Sequence, residues 1–583
     1  MSLRVDKTPD WLESYATSHH DWQQTVQNGE VIHYRRIGVV EGLFNTDGID
    51  YEGRADLTFN LQVELKTSLN VEALRERFVQ AWAVLRQRHV LLSARVAQVK
   101  ELLPFVTGHE AEEWIYVFKP CASPRDAYLE AQKHLVQVED QYSTVRNDEF
   151  FTHTLNCSRC LDPFVSLSRF YVMPLISKGN GVYDASFMMT AGHEIVDGLT
   201  SMRWMSSLIH ILNESPEQLR LNLKDLCQTS AVPRLPPAQE SLYPSMGSSP
   251  ARKRWSWLIS RILRHKKKLP PASFQNPLRR RIPLAKAQSL PPKFSKILDY
   301  SRLPPLNTYT VRPTLSAASS QRLAKLCREA RISIGSGCFA LVALVMMLFE
   351  ERCNPNIPAN ERLPFVGSFP VNPRPLLDGT PTTGKEDNLM LAFSEGIALR
   401  FLASELDFEG RFRLLGKQAH RQLRQYQKRP RNVHAKAVLG SSSPEQLLPI
   451  MYLVTMERLE SKSLETRKRG WNIQGEYPAR TNSTLATCGV SSVGPRGSII
   501  ASGKFNTSEL AEGQELAVDF RELYTTVRAR DGEFLVGAVG DNGILKFGVS
   551  YDGCAIDPAL AEEWKQVMET IMEPKQPSSM SRL

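Results

Sequence analysis

Apolar and polar residues alternate along 57–65 (LTFNLQVEL), a pattern that predicts a half-buried strand. After a short turn, apolar residues recur three or four positions apart over 71–88, which predicts an amphipathic helix. A second apolar run, 185–190, leads into small residues where we expect a strand to end in a sharp turn, and helical spacing resumes over 200–213. The first part of the chain is therefore expected to be mixed α and β.

The second part of the chain repeats this order of strand and helix. We expect a Ser-capped helix over 315–331, a buried helix over 336–350, a strand over 362–371, a β-hairpin over 537–551 and a closing helix over 558–572. The longest apolar run, 338–349, is shorter than the ~20 residues that span a bilayer, so it is interpreted as a core helix.

With 583 residues, the chain is too long for a single hydrophobic core. Periodicity fails between about 230 and 305, where Pro, Ser and basic residues are frequent. We therefore expect an N-terminal subdomain at 1–230, a crossover linker at 231–305 and a C-terminal subdomain at 306–583.

The net charge of +10 and the pI near 9.1 come from one segment. Residues 251–300 hold fourteen Lys and Arg against one acid, Asp299, so the rest of the chain is nearly neutral. This distribution argues against a nucleic-acid-binding protein. The start of the chain lacks the apolar stretch of a secretion signal, and nine scattered cysteines suit a reducing compartment, so a cytoplasmic location is expected.

Three interpretations of the basic segment remain open. Its Lys and Arg, with Trp255 and Trp257 between them, can form a membrane-surface helix near 254–264, bind phosphates of a donor, or be a solvated, disordered insertion. The disordered insertion is the favoured interpretation, because six prolines between 270 and 292 leave room for only one short helix. Peripheral membrane contact is not favoured.

The segment 190–198 (TAGHEIVDG) contains the strongest candidate for chemistry. His193 follows a strand end, where its ring can face a cleft, and a neutral imidazole can accept a proton near neutral pH. Asp197 lies four residues further on and can either contact the ring or turn away to an Arg. For a single His taken alone, a structural role is the commoner one.

The six residues 193–198 match the H-x-x-x-D-G motif of a coenzyme A-dependent acyltransferase superfamily. Its members include chloramphenicol acetyltransferase, the plant BAHD acyltransferases, peptide-synthetase condensation domains and fungal alcohol acetyltransferases. In the expected order, 85–95 (LRQRHVLLSAR), 371–374 (VNPR) and 490–494 (VSSVG) resemble further segments of this superfamily. The opening, 34–56, is similar to that of fungal trichothecene 15-O-acetyltransferases and their relatives.

This resemblance implies an α/β fold of two chloramphenicol-acetyltransferase-like subdomains, each a mixed sheet flanked by helices, with an active-site tunnel between them. It implies that His193 is the general base, that Asp197 and Gly198 support the loop, and that Arg374 pairs with Asp197. Ser492 is the candidate oxyanion donor and Ser491 the second. The Asp-Phe-Gly-Trp-Gly motif of the plant branch is absent from the sequence.

The resemblance thus implies an O-acyltransferase that moves an acyl group, most simply acetyl, directly from acyl-coenzyme A to a hydroxyl of a secondary metabolite such as a terpenoid or polyketide. No bound cofactor or metal is expected, and the chain is expected to be a monomer. Two alternatives stay open: a condensation-type transferase using a carrier-protein thioester, and a catalytically silent binding module. Zinc is not favoured, since H-E-x-x-H lacks its second His and Cys157 and Cys160 form a lone C-x-x-C.

Overall fold

A computed structural model gives the fold. It describes residues 12, 14–247, 249–266, 269–302, 307–378, 384–427, 444–478 and 486–573. The strands are β1 (Gln23–Gln27), β2 (Glu30–Arg36), β3 (Leu57–Thr67), β4 (Arg95–Gln98), β5 (Trp114–Phe118), β6 (Leu135–Gln137), β7 (Ser168–Val172), β8 (Ile176–Gly179), β9 (Val182–Ala191), β10 (Thr308–Val311), β11 (Phe365–Ser368), β12 (Pro370–Val371), β13 (Ala392–Phe393), β14 (Ile397–Leu399), β15 (Cys488–Pro495), β16 (Leu516–Val527), β17 (Phe534–Asp541) and β18 (Ile544–Asp552).

The helices alternate with these strands. They are α1 (Val39–Asp50), α2 (Val71–Arg88), α3 (Val99–Leu102), α4 (Pro124–Lys133), α5 (Asn147–Asn156), α6 (Gly198–Leu212), α7 (Pro216–Gln228), α8 (Pro250–Lys266), α9 (Ala317–Ala330), α10 (Ile334–Cys353), α11 (Phe408–Gln427), α12 (Pro444–Lys462) and α13 (Pro558–Thr570). The mixed α/β class predicted from the sequence is confirmed.

The N-terminal sheet has the strand order β16-β3-β9-β7-β6, with β8 paired to β9, and β6 and β7 run parallel. On β3, Phe59, Leu61 and Leu65 are fully buried and share one core with Trp82 of α2. The strand and helix predicted at 57–65 and 71–88 are both present, because their apolar residues all lie on the faces that meet.

The C-terminal sheet has the order β10-β18-β17-β15-β11-β14 and is also mixed. Helix α10 packs against it. By length and composition α10 passes for a membrane span, but 78% of its most apolar window is buried inside the protein. The predicted core helix is confirmed, as is the β17–β18 hairpin, whose register turns between Asp541 and Ile544.

Strand β16 crosses between the two halves of the chain. It pairs along its length with β3 of the N-terminal sheet, from Leu516 opposite Thr67 to Val527 opposite Leu57. The segment 306–583 is therefore not confined to the C-terminal sheet. Pairing between strands so far apart in sequence leaves no local pattern. The periodicity of the sequence therefore cannot predict that β16 joins the N-terminal sheet.

The interpretation of the basic segment as a disordered insertion is wrong. Helix α8 is 17 residues long and packs against α12. Its Trp257 is 5% exposed and contacts the rings of Tyr15 and Tyr452. Arg264 donates a hydrogen bond to Gln474 and pairs with Glu457. The prolines do not prevent packing, because they follow the helix rather than interrupt it.

The chain after α8 is also packed against both halves. Phe274 and Leu278 are buried in the C-terminal core, and Phe294 and Leu298 are buried in a cluster with Phe150 of α5. The described part of 231–305 thus docks on both halves through these side chains, whereas most of 281–293 is exposed.

Candidate active site

His193 lies directly after the end of β9, in a single helical turn, His193–Ile195, that precedes α6. Gly192 lies between the strand and this turn in an ordinary extended conformation. A Cβ on Gly192 would lie 2.3 Å from Oε2 of Glu194, whose side chain folds back over the glycine. Any other residue at 192 would have to displace the end of the buried Glu194 side chain, so close packing favours glycine at this position.

The ring of His193 is stacked on Phe44 of α1, with centroids 4.0 Å apart and planes inclined by 19°. Nδ1 is buried and makes no hydrogen bond of normal geometry to the described residues. Nε2 is not buried without a partner in this way. Burial lowers the pKa of His193 to about 4, and the nearby Arg530 guanidinium acts in the same direction. The imidazole is therefore neutral at physiological pH, as a general base must be.

Asp197 does not hydrogen-bond to the His193 ring among the described residues. It caps α6, where Oδ1 accepts hydrogen bonds of 2.9 Å from the backbone N–H groups of Leu199 and Thr200. Burial by itself would raise the pKa of Asp197, but Arg374 and the N–H groups of Thr200 and Met390 hold it below its ordinary value. The carboxylate is thus charged and acts on the loop, not on the ring.

Arg374 is brought to Asp197 by the start of a short turn, Arg374–Leu376. Its Nη2 donates to Asp197 Oδ2 at 2.7 Å and to the carbonyl of Asn388 at 2.8 Å. Its Nε donates to the carbonyl of Lys385 at 2.9 Å. Both partners are almost fully buried, with 4% of Arg374 and 9% of the Asp197 side chain exposed. The pair joins the His193 loop to the C-terminal half of the chain.

Gly198 is the first residue of α6. A Cβ there would have no heavy atom within 4 Å, and no positive φ is recorded for it. The structure therefore gives no steric reason for glycine at this position, in contrast to Gly192.

Ser491 and Ser492 lie on β15, between β17 and β11, and their side chains point to opposite faces of the sheet. Ser492 faces the start of α10, since a Cβ on Gly335 would lie 3.3 Å from its Oγ. Ser491 lies opposite Gly537, and Val539, on that same face of β17, packs against the N-terminal core. Neither serine hydrogen-bonds to His193 in the described structure.

Several residues that no sequence pattern assigned to the site lie around His193. Glu194 is fully buried, and burial raises the pKa of its carboxyl to about 7. Arg159 lies 3.6 Å from Glu194 and makes two hydrogen bonds, of 2.8 and 2.9 Å, to Asp56. Phe44 belongs to the same group through its ring stack. Phe44 and Asp56 lie in the resembling segment 34–56 and Arg159 lies between Cys157 and Cys160, but no local pattern places them beside His193. Glu194 lies inside the motif itself.

The described cavities do not include the tunnel that the resemblance implies. One is lined by residues of α4 such as Leu129 and Lys133, and the other by residues 292–301. Neither contacts His193. The tunnel therefore stays a prediction. Within the described residues no group of three or more His, Cys, Asp or Glu is placed to hold a metal ion.

No protein-family model matches the chain, and no curated protein matches it in sequence. Among solved structures, the chain is similar to the TRI3 trichothecene 15-O-acetyltransferase from Fusarium sporotrichioides. The TM-score is 0.61 and the identity 11%, over 94% of this chain and 96% of the other.

Two further structures are similar at lower TM-scores. Polyketide synthase associated protein 5 from Mycobacterium tuberculosis gives 0.48 at 12% identity, covering 92% of this chain and 98% of the other. The condensation domain of the Monacolin K polyketide synthase MokA gives 0.48 at 10% identity, covering 92% and 97%. The predicted α/β fold of two subdomains, each built on a mixed sheet flanked by helices, is confirmed, and the TRI3 structure shares it.

Proposed function

We propose that this chain is an O-acyltransferase in which His193 removes the proton of an acceptor hydroxyl as that hydroxyl attacks the carbonyl of an acyl-coenzyme A thioester. One observation carries the proposal. The motif aspartate caps α6 and pairs with the buried Arg374, which fixes the loop of His193 and leaves its ring without a carboxylate partner. Burial keeps the ring neutral. The fold shared with an acetyltransferase supports it.

The chemistry follows from this arrangement. An alcohol is a weak nucleophile, and a base within hydrogen-bond reach accepts its proton as the new C–O bond forms. Nε2 is the nitrogen placed for this step, because Nδ1 is enclosed and Phe44 covers one ring face. The protonated imidazole then returns the proton to the leaving thiolate, so no covalent acyl-enzyme is needed.

The thioester carbonyl becomes an oxyanion during attack and needs a hydrogen-bond donor. We infer that Ser491 is better placed than Ser492, because Ser491 faces the N-terminal core and Ser492 faces α10. The proposed acceptor is a hydroxyl of a terpenoid or polyketide, and acetyl-coenzyme A is the proposed donor.

The proposal is tested by incubating the purified chain with acetyl-coenzyme A and a panel of terpenoid and polyketide alcohols. Released coenzyme A thiol is measured with a colorimetric thiol reagent, and the ester product is identified by mass spectrometry. Thiol release that depends on the alcohol, with an ester of matching mass, supports the proposal. Transfer from an acyl carrier-protein thioester but not from coenzyme A would favour the condensation-type alternative. Absence of transfer from both donors would favour a silent binding module.

A further inference from the structure

Cys157 and Cys160 lie side by side at the end of α5. Their sulfur atoms are 3.6 Å apart, and both are buried, with 3% and 5% of each residue exposed. A disulfide needs a sulfur separation of about 2.05 Å, so closure requires a shift of only about 1.5 Å. None of the other cysteine pairs among the described residues has a comparable sulfur–sulfur contact.

The surroundings favour a thiolate at Cys160. Arg528 is fully buried, and its Nη2 lies 3.9 Å from both sulfur atoms. The Cys157 thiol faces the Cys160 sulfur and, together with Arg528, lowers the pKa of Cys160 to about 6 in spite of burial. The same contact raises the pKa of Cys157. One sulfur is thus prepared to react and the other to resolve the product.

The residue between the two cysteines reaches the candidate active site. Arg159 binds Asp56 through two hydrogen bonds and lies 3.6 Å from Glu194, the neighbour of His193. Its guanidinium also lies over Gly48 of α1, where a Cβ would come within 2.5 Å of Nη2. Gly48 is one helical turn beyond Phe44, whose ring stacks on His193. Arg159 therefore contacts both elements that enclose His193.

The network around Arg159 is not fully satisfied. Nη1 of Arg159 and both carboxylate oxygens of Glu194 are buried without a hydrogen-bond partner in the described structure. The two hydrogen bonds to Asp56 and the ion pair with Glu194 are thus what hold this side chain in place. If the backbone at 157–160 moves, Arg159 loses these contacts, and few others are available to hold its side chain.

We propose that Cys157 and Cys160 are a reversible oxidation site for hydrogen peroxide, and that their disulfide displaces Arg159 and loosens the loop that carries His193. The Cys160 thiolate attacks one peroxide oxygen, the O–O bond breaks, and hydroxide leaves, which takes up the thiol proton to form water. The Cys157 thiol then attacks the sulfenic sulfur, the S–S bond forms, and a second water leaves. Overall, two thiols and one peroxide give one disulfide and two waters.

Because the two cysteines are buried, small oxidants should reach them more readily than bulky thiol reagents. Peroxide is close to water in size and can enter on local opening of the 157–160 loop, where Ser158 is partly exposed and 10% of the Arg159 side chain is exposed. Bulky thiol reagents should react first with the exposed Cys353. Neither step depends on the chain being an acyltransferase. The failure of this proposal would therefore leave the proposed function unaffected, and the reverse also holds.

The first test is peptide mapping of the full chain after mild peroxide treatment and blocking of free thiols. Trypsin cuts after Arg159 and so separates the two cysteines into the peptides 147–159 and 160–169. We expect these two peptides to be joined until a reductant is added. Free or singly oxidised peptides, under conditions that oxidise Cys353, would overturn the proposal.

The second test follows hydrogen exchange of the backbone at 192–200 and in α1. Oxidation should speed exchange in both segments, and reduction should restore it. Cys157→Ala should remove the effect of peroxide, and Cys353→Ala is the matched control that should keep it. A joined peptide pair with unchanged exchange would overturn the displacement of Arg159. A response to peroxide that persists in Cys157→Ala would overturn the assignment to this pair.

Discussion

Arg374 donates a 2.7 Å hydrogen bond to Asp197, and this contact ties the loop that carries His193 to the C-terminal half of the chain. The aspartate of the motif therefore holds the position of the loop and does not orient the imidazole by direct contact. The loop is fixed from both sides, by Arg374 on one and by the cap that Asp197 provides to α6 on the other.

Removing one partner of this pair should destabilise the protein strongly. Asp197→Asn leaves the buried Arg374 without a counter-charge, so the free energy of unfolding should fall by about 3–5 kcal/mol. Denaturant unfolding at neutral pH measures this. Glu217→Gln breaks the exposed Arg220–Glu217 pair and is the matched control, expected to change stability by less than about 1 kcal/mol.

The same pair predicts how the stability of the protein changes with pH. The pKa of Asp197 is held below its ordinary value, so its stabilising contribution is complete above that value and is lost as the pH falls through the lower, folded-state pKa. Unchanged stability in Asp197→Asn would show that the pair does not hold the loop.

The pKa of His193 should lie near 4, well below the ordinary value of about 6.5, because burial disfavours the charged ring. The base must be neutral to work, so turnover should persist as the pH falls through 6 and be lost only near pH 4. Titration of the ring by NMR, assigned by comparison with His193→Asn, measures the pKa directly. Phe44→Ala should admit water to the ring and raise the pKa. Titration of the unaltered protein near 6.5 would refute the burial argument.

Two tryptophans of α8 provide a matched pair for testing whether the basic segment is folded. Trp257 is 5% exposed and Trp255 is 64% exposed. Trp257→Ala should lower the free energy of unfolding by about 3–5 kcal/mol, whereas Trp255→Ala should have little effect. Equal, small effects of both substitutions would mean that α8 does not dock on α12.

The two serines of β15 should differ in their effect on turnover. If Ser491 is the oxyanion donor, Ser491→Ala should lower kcat by about 100-fold or more, equivalent to about 3 kcal/mol, with substrate binding little changed. Ser492→Ala is the matched control and should lower kcat much less, since its side chain faces α10. The reverse order would restore Ser492 as the donor.

Local patterns predicted those parts of the fold that depend on neighbours in sequence. Strand β3 and helix α2 follow from the spacing of their apolar residues, and α9 begins at the Ser316 cap, whose side chain accepts from Ser319. The order of elements also indicated two similar halves. These features need no knowledge of what packs against them.

Features set by distant contacts could not be predicted in this way. The position of β16 in the N-terminal sheet depends on its pairing with β3, more than 400 residues away. The packing of α8 depends on an aromatic cluster drawn from three other segments, of which Tyr15 and Tyr452 are members. The stack of Phe44 on His193 arises in the same manner, because the two residues are about 150 positions apart and no local pattern pairs them.

The most direct test of the account is the effect of His193→Ala on acyl transfer, measured as alcohol-dependent thiol release from acetyl-coenzyme A. If His193 is the general base, kcat should fall by about 10²–10⁴-fold while unfolding and the circular dichroism spectrum stay those of the unaltered protein. His109→Ala, an exposed histidine elsewhere in the chain, is the control and should keep full turnover. A folded His193→Ala variant with near-normal turnover would contradict the account.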